Sequence, residues 1–475
     1  MLGRAYWDHE IKVDTKPYPG RPAATSAESV DVTIHTYRQP VSGLVGNMQS
    51  TGLWAPQHGE VTVSGGVPAT ITVALVDDLT GRPQHELALQ RPPRVTTTFK
   101  HDGATTRFKV PFGGLIYVSP QSSNQIAATS DYSFSGVMKA SFWQDGRWKH
   151  PVNNDVPLAE IDTGHLVYTT PVNNVTGTDI VDFVTKMNAF AEQTSNFYGR
   201  DQRSEIGDHR RFTGDHLPGH GHRFVNDIQI SIGSAHSGYP VQNASFNASR
   251  TTIPTTPDND WLLWHEIGHN LAVSPLVMPG ATEVANNVLA LYMQELRPAP
   301  HNKMGRIELD IQKMPLLLAA NGGHLWSEGD AGVRLVMFGQ LKLWAAQHFD
   351  INKWYPDESK PSVFGEDQGW NLFKLMHRKA RGDKAGDESI NYCSSADTRL
   401  QNGDLLMVCS SYLSGYDLSS FFKAWNPGEV KSVYPGGDIK YSDGISQQGL
   451  SRLAELKLSP PAIKPEHISS LSVNR

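Results

Sequence analysis

The sequence predicts an α+β multidomain protein with an N-terminal β-sandwich, a mainly helical domain and a short C-terminal tail that contains strands. Between residues 51 and 156, short runs of β-branched residues alternate with Gly and Pro, which is typical of a sandwich. After residue 157, apolar residues recur at helical spacing over longer segments. The chain of 475 residues also exceeds what one hydrophobic core organises, so we expect several domains.

Changes in composition divide the chain into four expected segments. Residues 1–50 are a polar lead-in, residues 51–156 form the β-sandwich, residues 157–428 form the helical domain, and residues 429–475 are the tail. Within them, strands are predicted at residues 60–63, 69–75, 94–99, 113–118 and 225–232, and helices at 178–198, 261–270, 281–297, 331–349, 370–379 and 418–425. A histidine-rich stretch at 201–223 is interrupted by Pro and Gly, which favours a solvated loop.

Composition and charge exclude several classes of protein. The net charge of -6 argues against nucleic acid as a partner. No apolar run approaches the roughly 20 residues that cross a bilayer, and the first residues lack the apolar segment of a signal peptide. We therefore expect a monomer with no transmembrane segment, which is either cytosolic or a mature fragment of a longer chain.

The two cysteines bear on that choice. Cys393 and Cys409 lie close together in a polar region, and a disulfide that closes such a loop contributes about 3 kcal/mol in the chain-entropy model. Two unrelated buried thiols are the alternative. Because these are the only cysteines in the chain, we favour the disulfide, which implies an oxidising, exported setting.

A His-Glu-x-x-His pattern lies within the apolar segment Trp261–Asn270. His265 and His269 are four residues apart, so on a helix their rings share one face and can bind one Zn²⁺ ion. Glu266 follows the first histidine, where its carboxylate reaches a metal-bound water without being a ligand. Gly268 leaves room for another segment beside the second histidine. The pattern indicates a zinc hydrolase.

A third zinc ligand is expected at Glu283. This residue begins an apolar helix, where a carboxylate without a partner would be expensive to bury. The His, His, Glu set leaves a fourth position for water, which is the arrangement of catalytic rather than structural zinc. Asn287, one turn later, either accepts the Nδ1–H of a ligating histidine or is a solvent-facing amide.

These residues define a mechanism for peptide hydrolysis. Zinc lowers the pKa of its bound water and polarises the scissile carbonyl, and Glu266 carries the proton to the leaving amine. The tetrahedral oxyanion needs another donor, for which His236, Tyr239 and Arg334 are candidates. Residues 228–231 are expected to form a strand edge against which an extended peptide pairs.

Residues 265–270 and 280–287 together resemble the enhancin-like (M-sixty) zinc peptidases, in which HExxH is followed by Glu in an Asn-rich helix. Three further segments fit that family, at residues 111–117, 236–240 and 414–418. The C-terminal part of the secreted, mucin-degrading surface lipoproteins of enteric bacteria is similar to this chain at residues 332–335, 370–383 and 421–428. The resemblance covers about residues 50–430.

The resemblance implies a gluzincin-type peptidase domain with zinc ligands at His265, His269 and Glu283 and a catalytic carboxylate at Glu266. It also implies a secreted or surface-attached protein that cleaves O-glycosylated, mucin-type substrates. Proteins of this group are much longer, so we expect the chain to be a C-terminal fragment of an exported lipoprotein.

Glycan contact is assigned to Trp326 and Arg334, and a buried structural ion pair is an equal alternative for Arg334. The competing interpretation of the whole chain is a non-catalytic mucin- or glycan-binding adhesin with a structural zinc. The presence of Glu266 argues against the adhesin, because a structural zinc site has no use for that carboxylate. An aminopeptidase is disfavoured because the chain lacks a Gly-x-Met-Glu-Asn motif.

Overall fold

The computed structural model divides the chain into two compact units, residues 1–191 with 212–257 and residues 192–211 with 258–475. Most of the lead-in and of the histidine-rich loop lie outside the described residues. The structure describes residues 28–36, 47–80, 89–123, 125, 128–199, 222–247, 249–356, 360–383, 385–386, 389–432, 440–441 and 444–472.

A β-sandwich forms the first part of the first unit and confirms the predicted sandwich. One antiparallel sheet has the order β1-β8-β3-β6, and the other has the order β5-β4-β7-β2-β9. Alternate side chains such as Val61, Val63, Ile71 and Ile116 turn inward and share one core between the two sheets. The strands are β1 (Val30–His35), β2 (Gln49–Ala55), β3 (Glu60–Gly65), β4 (Ala69–Val73), β5 (Thr97–His101), β6 (Thr105–Lys109), β7 (Gly114–Pro120), β8 (Thr129–Ser135) and β9 (Met138–Lys139).

A seven-stranded mixed sheet in the order β11-β10-β12-β13-β14-β16-β15 completes the first unit. Strand β10 pairs in parallel with β12, so the β10–β11 hairpin belongs to this sheet and not to the sandwich. Helices α1 (Val172–Thr176) and α2 (Ile180–Phe197) follow β13. The strands are β10 (Ser141–Gln144), β11 (Arg147–His150), β12 (Leu158–Asp162), β13 (Leu166–Pro171), β14 (His222–Asn226), β15 (Ala235–His236) and β16 (Val241–Asn243).

The strand predicted at residues 225–232 is wrong in extent, because β14 ends at Asn226 and residues 227–234 form no strand. The carboxylate of Asp227 accepts the backbone N–H of Ile228 at 2.7 Å, which turns the chain away from the sheet. Residues 228–231 therefore do not provide the strand edge that the alternating sequence predicted.

A buried ion pair holds this turn in place. The guanidinium of Arg91 donates to both carboxylate oxygens of Asp227, at 2.8 and 2.7 Å, and to the carbonyl of Gln229 at 3.0 Å. The Arg91 side chain is fully buried and that of Asp227 is 2% exposed. Removing one member of such a pair leaves the other charge desolvated and without a counter-ion.

We predict that Arg91→Ala lowers the free energy of unfolding by about 3–5 kcal/mol, because it leaves the Asp227 carboxylate buried without its partner. Urea unfolding at neutral pH measures the change. The matched control is Arg94→Ala, since the Arg94–Asp78 pair is 67% and 49% exposed, and an exposed pair contributes less than about 1 kcal/mol. Equal losses in the two variants would show that burial of the Arg91 pair has no energetic consequence.

The second unit is mainly helical, as predicted. Its core contains large buried side chains such as Trp344, Phe373 and Trp425. Short 3-10 turns lie at Gly305–Ile307, Ile351–Lys353 and Pro465–His467. The helices are α3 (Trp261–Leu271), α4 (Thr282–Glu295), α5 (Glu308–Ile311), α6 (Met314–Asn321), α7 (Leu325–Glu328), α8 (Ala331–His348), α9 (Gln368–Ala380), α10 (Ser395–Thr398), α11 (Asn402–Ser414), α12 (Ser419–Trp425) and α13 (Gln447–Ala454).

The end of the chain contains the expected short strands, β17 (Lys431–Ser432) and β18 (Lys440–Tyr441), and also helix α13, which the sequence did not predict. A disulfide joins Cys393 to Cys409, as the sequence favoured. In the described part of the chain, no helix is long and apolar enough to cross a membrane.

Candidate metal centre

Helix α3 presents both histidines of the His-Glu-x-x-His pattern on one face. Asp260 caps the helix, because its side chain accepts the backbone N–H of Leu263 at 3.2 Å. Leu263 and Ile267 are fully buried and anchor the opposite face in the core. His265 and His269 stay partly accessible, with side chains that are 22% and 17% exposed. The helix is thus fixed by its core while its two imidazoles remain reachable.

The backbone of helix α4 lies directly against α3 at Gly268. A Cβ atom on Gly268 would lie 2.5 Å from the carbonyl oxygen of Asn286, which is closer than any side-chain carbon can approach backbone. Only glycine therefore permits this helix pair. The close approach sets the first turn of α4, with Glu283, beside the histidines of α3.

Three ligand atoms converge at the contact between the two helices. The Nε2 atoms of His265 and His269 lie 3.2 Å apart. A carboxylate oxygen of Glu283, Oε2, lies 3.1 Å from the first nitrogen and 3.3 Å from the second. Two imidazoles and one carboxylate at this spacing could hold a metal ion, and these are donor types that zinc accepts.

Asn287 fixes the tautomer of His265. Its Oδ1 lies 2.8 Å from Nδ1 of His265, and its Nδ2 donates to the carbonyl of Glu283 at 2.8 Å. An amide oxygen only accepts, so Nδ1 of His265 carries the proton and Nε2 presents its lone pair. Asn287 therefore contacts one of the predicted ligands, and its role in holding that histidine for a metal stays a prediction.

Asn286, which the sequence analysis did not single out, orients the other histidine. Its Nδ2 lies 2.9 Å from Nε2 of His269 and 3.3 Å from the carbonyl of His265. The amide is fully buried, although asparagine is usually exposed. The Asn-Asn pair one turn after a predicted ligand was the sequence signal for this role.

The donor set fits a divalent cation. Both Nε2 atoms present lone pairs, and they face a carboxylate oxygen, so the three atoms repel one another unless a proton or a cation lies among them. Burial lowers the pKa of His269, although the nearby Glu283 carboxylate opposes this effect. The lowered pKa favours the neutral imidazole ring, which is the form that binds a metal. The chemistry of these atoms therefore fits zinc.

Glu266 occupies a different position from Glu283. It is 6% exposed, and its carboxylate and the ring nitrogens of His265 and His269 lie within 4.8 Å of one another. Successive residues of a helix point about 100° apart, so Glu266 leaves α3 beside the histidine face and not along it. This placement suits a base next to the cation better than a third ligand.

The expectation that Glu283 would be buried is wrong, since its side chain is 56% exposed. Glu283 lies in the first turn of α4 with φ -95° and ψ 18°, before the regular helix begins. Burial starts only at Val284. The carboxylate thus keeps contact with solvent, and its ligand role depends on geometry and not on the cost of desolvation.

Trp326 and Arg334 hold the segment that leads into α4. The guanidinium of Arg334 donates to the carbonyls of Trp326, Gly280 (3.0 Å) and Ser327 (3.3 Å). Trp326 is fully buried, and its indole N–H donates to the carbonyl of Pro279 at 3.0 Å. Among the described residues, no carboxylate forms an ion pair with Arg334, and the indole of Trp326 is buried. The glycan contact assigned to these two residues stays a prediction.

His236 and Tyr239 belong to the first unit. Burial alone would raise the pKa of Asp77, but hydrogen bonds from His236 and Ser231 lower it to about 2. His236 lies 3.1 Å from that carboxylate. Tyr239 donates its hydroxyl to the carbonyl of Met48 at 3.2 Å. The oxyanion role predicted for these two residues stays a prediction.

We predict that Gly268→Ala separates α3 from α4, because the new methyl group meets the Asn286 carbonyl. The free energy of unfolding should fall by about 1–3 kcal/mol, and zinc affinity should fall with it. Urea unfolding and competition with a chromophoric chelator measure the two effects. Gly305→Ala is the control, since a Cβ there meets nothing within 4 Å. Wild-type stability and zinc affinity in Gly268→Ala would contradict the packing argument.

We also predict that Asn287→Ala weakens zinc binding by about 10- to 100-fold, because His265 loses the partner that fixes its tautomer. The dissociation constant is measured by chelator competition at pH 7. Thr282→Ala, an exposed position on the same helix, serves as the control. An affinity equal to that of the control would make Asn287 a solvent-facing amide with no role at the site.

Two family profiles match the chain. The family described as "Peptidase M60, enhancin and enhancin-like" matches residues 139–426. The family described as "N-terminal domain of M60-like peptidases" matches residues 25–129. The first match covers more than half of the chain and includes all of α3 and α4.

Curated relatives extend beyond this chain. A putative lipoprotein AcfD homolog of Escherichia coli (strain K12) is 49% identical over 490 residues, which is 100% of this chain and 32% of the relative. Accessory colonization factor AcfD of Vibrio cholerae is 42% identical over 489 residues, which is 99% of this chain and 31% of the relative. The chain therefore spans about a third of the length of these relatives.

Solved structures share the fold at low sequence identity. The structure of IMPa from Pseudomonas aeruginosa in complex with an O-glycopeptide matches with a TM-score of 0.64 at 16% identity, over 93% of this chain and 52% of that one. The M60 catalytic domain of Clostridium perfringens ZmpC in complex with the sialyl T antigen matches with a TM-score of 0.58 at 13% identity, over 92% and 81% of the two chains. The α+β architecture is thus that of M60 catalytic domains.

Proposed function

The chain belongs to the M60 family of enhancin and enhancin-like peptidases, and from this premise we propose that it is a zinc endopeptidase that cleaves O-glycosylated, mucin-type proteins. The observation that supports the proposal is the convergence of His265, His269 and Glu283 at 3.1 to 3.3 Å, with Glu266 beside them. Four protein ligands would indicate a structural site, whereas three leave a position for a reactant.

His265, His269 and Glu283 would hold one Zn²⁺ ion. A zinc ion in this donor set supplies a Lewis acid that activates water and polarises a carbonyl. Asn287 accepts the Nδ1–H of His265, which would leave Nε2 available to bind the cation. The side-chain amide of Asn286 donates to Nε2 of His269 at 2.9 Å and also to the carbonyl of His265. When Nε2 of His269 binds the ion, the amide would therefore keep the carbonyl as a hydrogen-bond acceptor.

Glu266 would act as the general base. It accepts a proton from the attacking water and then donates it to the nitrogen of the leaving amine, as general acid–base catalysis requires. Its neighbour His265 is a ligand, so the helix itself places the carboxylate next to the reacting atoms. The buried position of Glu266 limits the number of waters that compete for it.

The similar structures support the proposed substrate class, and the relatives and the disulfide support the proposed location. The structurally similar metallopeptidase IMPa has been solved in complex with an O-glycopeptide and with the T-antigen. Relatives carry the names lipoprotein and colonization factor, and the Cys393–Cys409 disulfide favours an oxidising compartment. We therefore propose that the protein acts outside the cytoplasm, in a secreted or surface-attached form, with His236 and Tyr239 as candidate contacts to the substrate.

We predict that Glu266→Gln loses mucin cleavage by a factor of about 100 to 10,000, because it removes the proton acceptor and keeps the side-chain shape. Purified mucin and its O-deglycosylated form are incubated with each protein, and fragment release is measured over time. The zinc content of the variant should equal that of the wild type. Glu308→Gln, an exposed carboxylate paired with Lys303, is the control and should cleave normally.

The same assay separates the alternatives. Equal fragment release by the wild type and Glu266→Gln would contradict the catalytic role of this carboxylate. If both proteins bound mucin without cleaving it, and a chelator did not change that binding, the result would support the adhesin instead. Faster cleavage of the deglycosylated form would keep the peptidase but reject the proposed substrate class.

A further inference from the structure

A polar cleft of about 330 Å³ lies in the first unit, along strand β1. Its volume is within the range of about 300–1,000 Å³ that is typical of ligand-binding clefts. Residues 31–35 of β1, the start of β2 and the β10–β11 hairpin line the cleft. The cleft belongs wholly to the first unit, so no metal ligand contributes to it.

Strand β1 is an edge strand, and its outer edge faces the cleft. Among the described strands, β1 pairs with β8 alone. In an antiparallel pair, alternate residues direct their main-chain groups to the partner. The N–H of Thr36 donates to Ala128 on the β8 side at 2.9 Å. By alternation, the N–H and C=O groups of His35, Thr33 and Asp31 point outward into the cleft.

Gln49 already occupies one position of this edge. Its Oε1 accepts the N–H of His35 at 2.9 Å, and its Nε2 donates to the carbonyl of His35 at 2.6 Å. A carboxamide carries the same donor and acceptor as a peptide group, so the Gln49 side chain imitates one residue of a neighbouring strand. The main-chain groups of Thr33 and Asp31, the next outward positions, have no hydrogen-bond partner among the described residues.

We propose that the edge of β1 at Asp31 and Thr33 binds an extended peptide segment of another protein, which adds to the sheet as a further strand. Such a strand would lie about 4.8 Å from β1 and satisfy the open main-chain groups in pairs. An exposed edge presents such main-chain groups to an extended chain.

The lining of the cleft favours a peptide over a sugar. Phe142, which lines the cleft, is only 4% exposed and offers no ring face for a sugar to cover. The amide of Gln144 donates to Asp162 at 3.0 Å, and Lys149 pairs with Asp145 at 2.7 Å. Among the described residues, the outward main-chain groups of Asp31 and Thr33 remain without partners, and a peptide matches them.

The charged residues that line the cleft indicate which peptide would be complementary to it. Burial lowers the pKa of His35, although Asp145 opposes this, and burial also lowers the pKa of His150, so both rings are neutral near pH 7. Because Lys149 compensates Asp145, Asp31 is the one lining carboxylate without a cation among the described residues. An extended peptide with one lysine is therefore the complementary ligand.

The probe is a fluorescein-labelled, acetylated hexapeptide of alternating threonine and valine with one lysine. Anisotropy is measured with the Glu266→Gln protein, so that cleavage plays no part and the result is independent of the proposed peptidase. Saturable binding is expected, with or without chelator, and hydrogen exchange of residues 28–36 should slow while that of residues 105–109 stays the same. No saturation up to about 1 mM would overturn the proposal.

Two controls test the main-chain contacts. Thr33→Pro removes an N–H that points away from β8, so the ladder stays intact and binding should weaken at least tenfold. Thr105→Pro makes the same change at the far edge of the sheet, where the N–H of Thr105 also points outward, and should bind like the parent. A second arm, which needs no variant, uses the same peptide with N-methylated central residues and should show no binding.

Three results would reject the peptide site. The first is equal binding by folded Thr33→Pro and Thr105→Pro, with folding checked by circular dichroism. The second is equal binding of the N-methylated and unmethylated peptides, which would mean that main-chain donors are not used. The third is displacement of the peptide by free mucin O-glycans, which would assign the cleft to sugars.

Discussion

The contact between α3 and α4 at Gly268 is the constraint on which the metal centre depends. The backbone of Asn286 approaches so closely that no side chain fits between the helices. The distances among His265, His269 and Glu283 are therefore set by two packed backbones and not by flexible side chains alone. Preorganisation of this kind would keep the proposed ligand set ready for an ion without a separate ordering step.

A second layer of contacts determines where α4 begins. Arg334 donates to three carbonyls in the segments before α4 and around α7, and Gly280 adopts φ +79° beneath the guanidinium. A Cβ on Gly280 would lie 2.8 Å from the indole nitrogen of Trp326. Arg334 is accommodated in an apolar helix because its guanidinium bonds to backbone carbonyls. By holding Gly280, it helps to fix where Glu283 lies.

Local patterns carried most of what the sequence could predict. Helix α3, the histidine pair and strands β3, β4, β5 and β7 follow from spacing and periodicity within a few residues, whereas β2, β6, β8 and β9 were not predicted. The end of β14 does not, because it depends on the contact of Asp227 with Arg91, which lies far away in the chain. The hairpin β10–β11 likewise joined the mixed sheet through a parallel pairing with β12. The exposure of Glu283 was missed because periodicity describes the helix and not its first turn.

The charged side chains divide according to what surrounds them. Arg223, fully buried, donates to the carbonyl of Met48 at 2.7 Å and to Ser50 at 3.1 Å, and it lies 4.8 Å from the ring centre of Tyr117. Glu160 accepts from the hydroxyl of Tyr117 at 2.9 Å. Both side chains thus bond to other groups of the protein itself, and these contacts specify how the strands meet.

The carboxylate of Glu283 has the opposite surroundings. Its nearest neighbours are imidazole nitrogens that present lone pairs, and more than half of its side chain is exposed. A carboxylate that faces other hydrogen-bond acceptors, with no donor or cation between them, does not stabilise the fold. The same criterion applies to Trp326 and Arg334, because the indole N–H of Trp326 and three N–H groups of Arg334 are bonded to backbone carbonyls. Complementarity of donors and acceptors, more than burial, therefore distinguishes the functional charges of this chain from its structural ones.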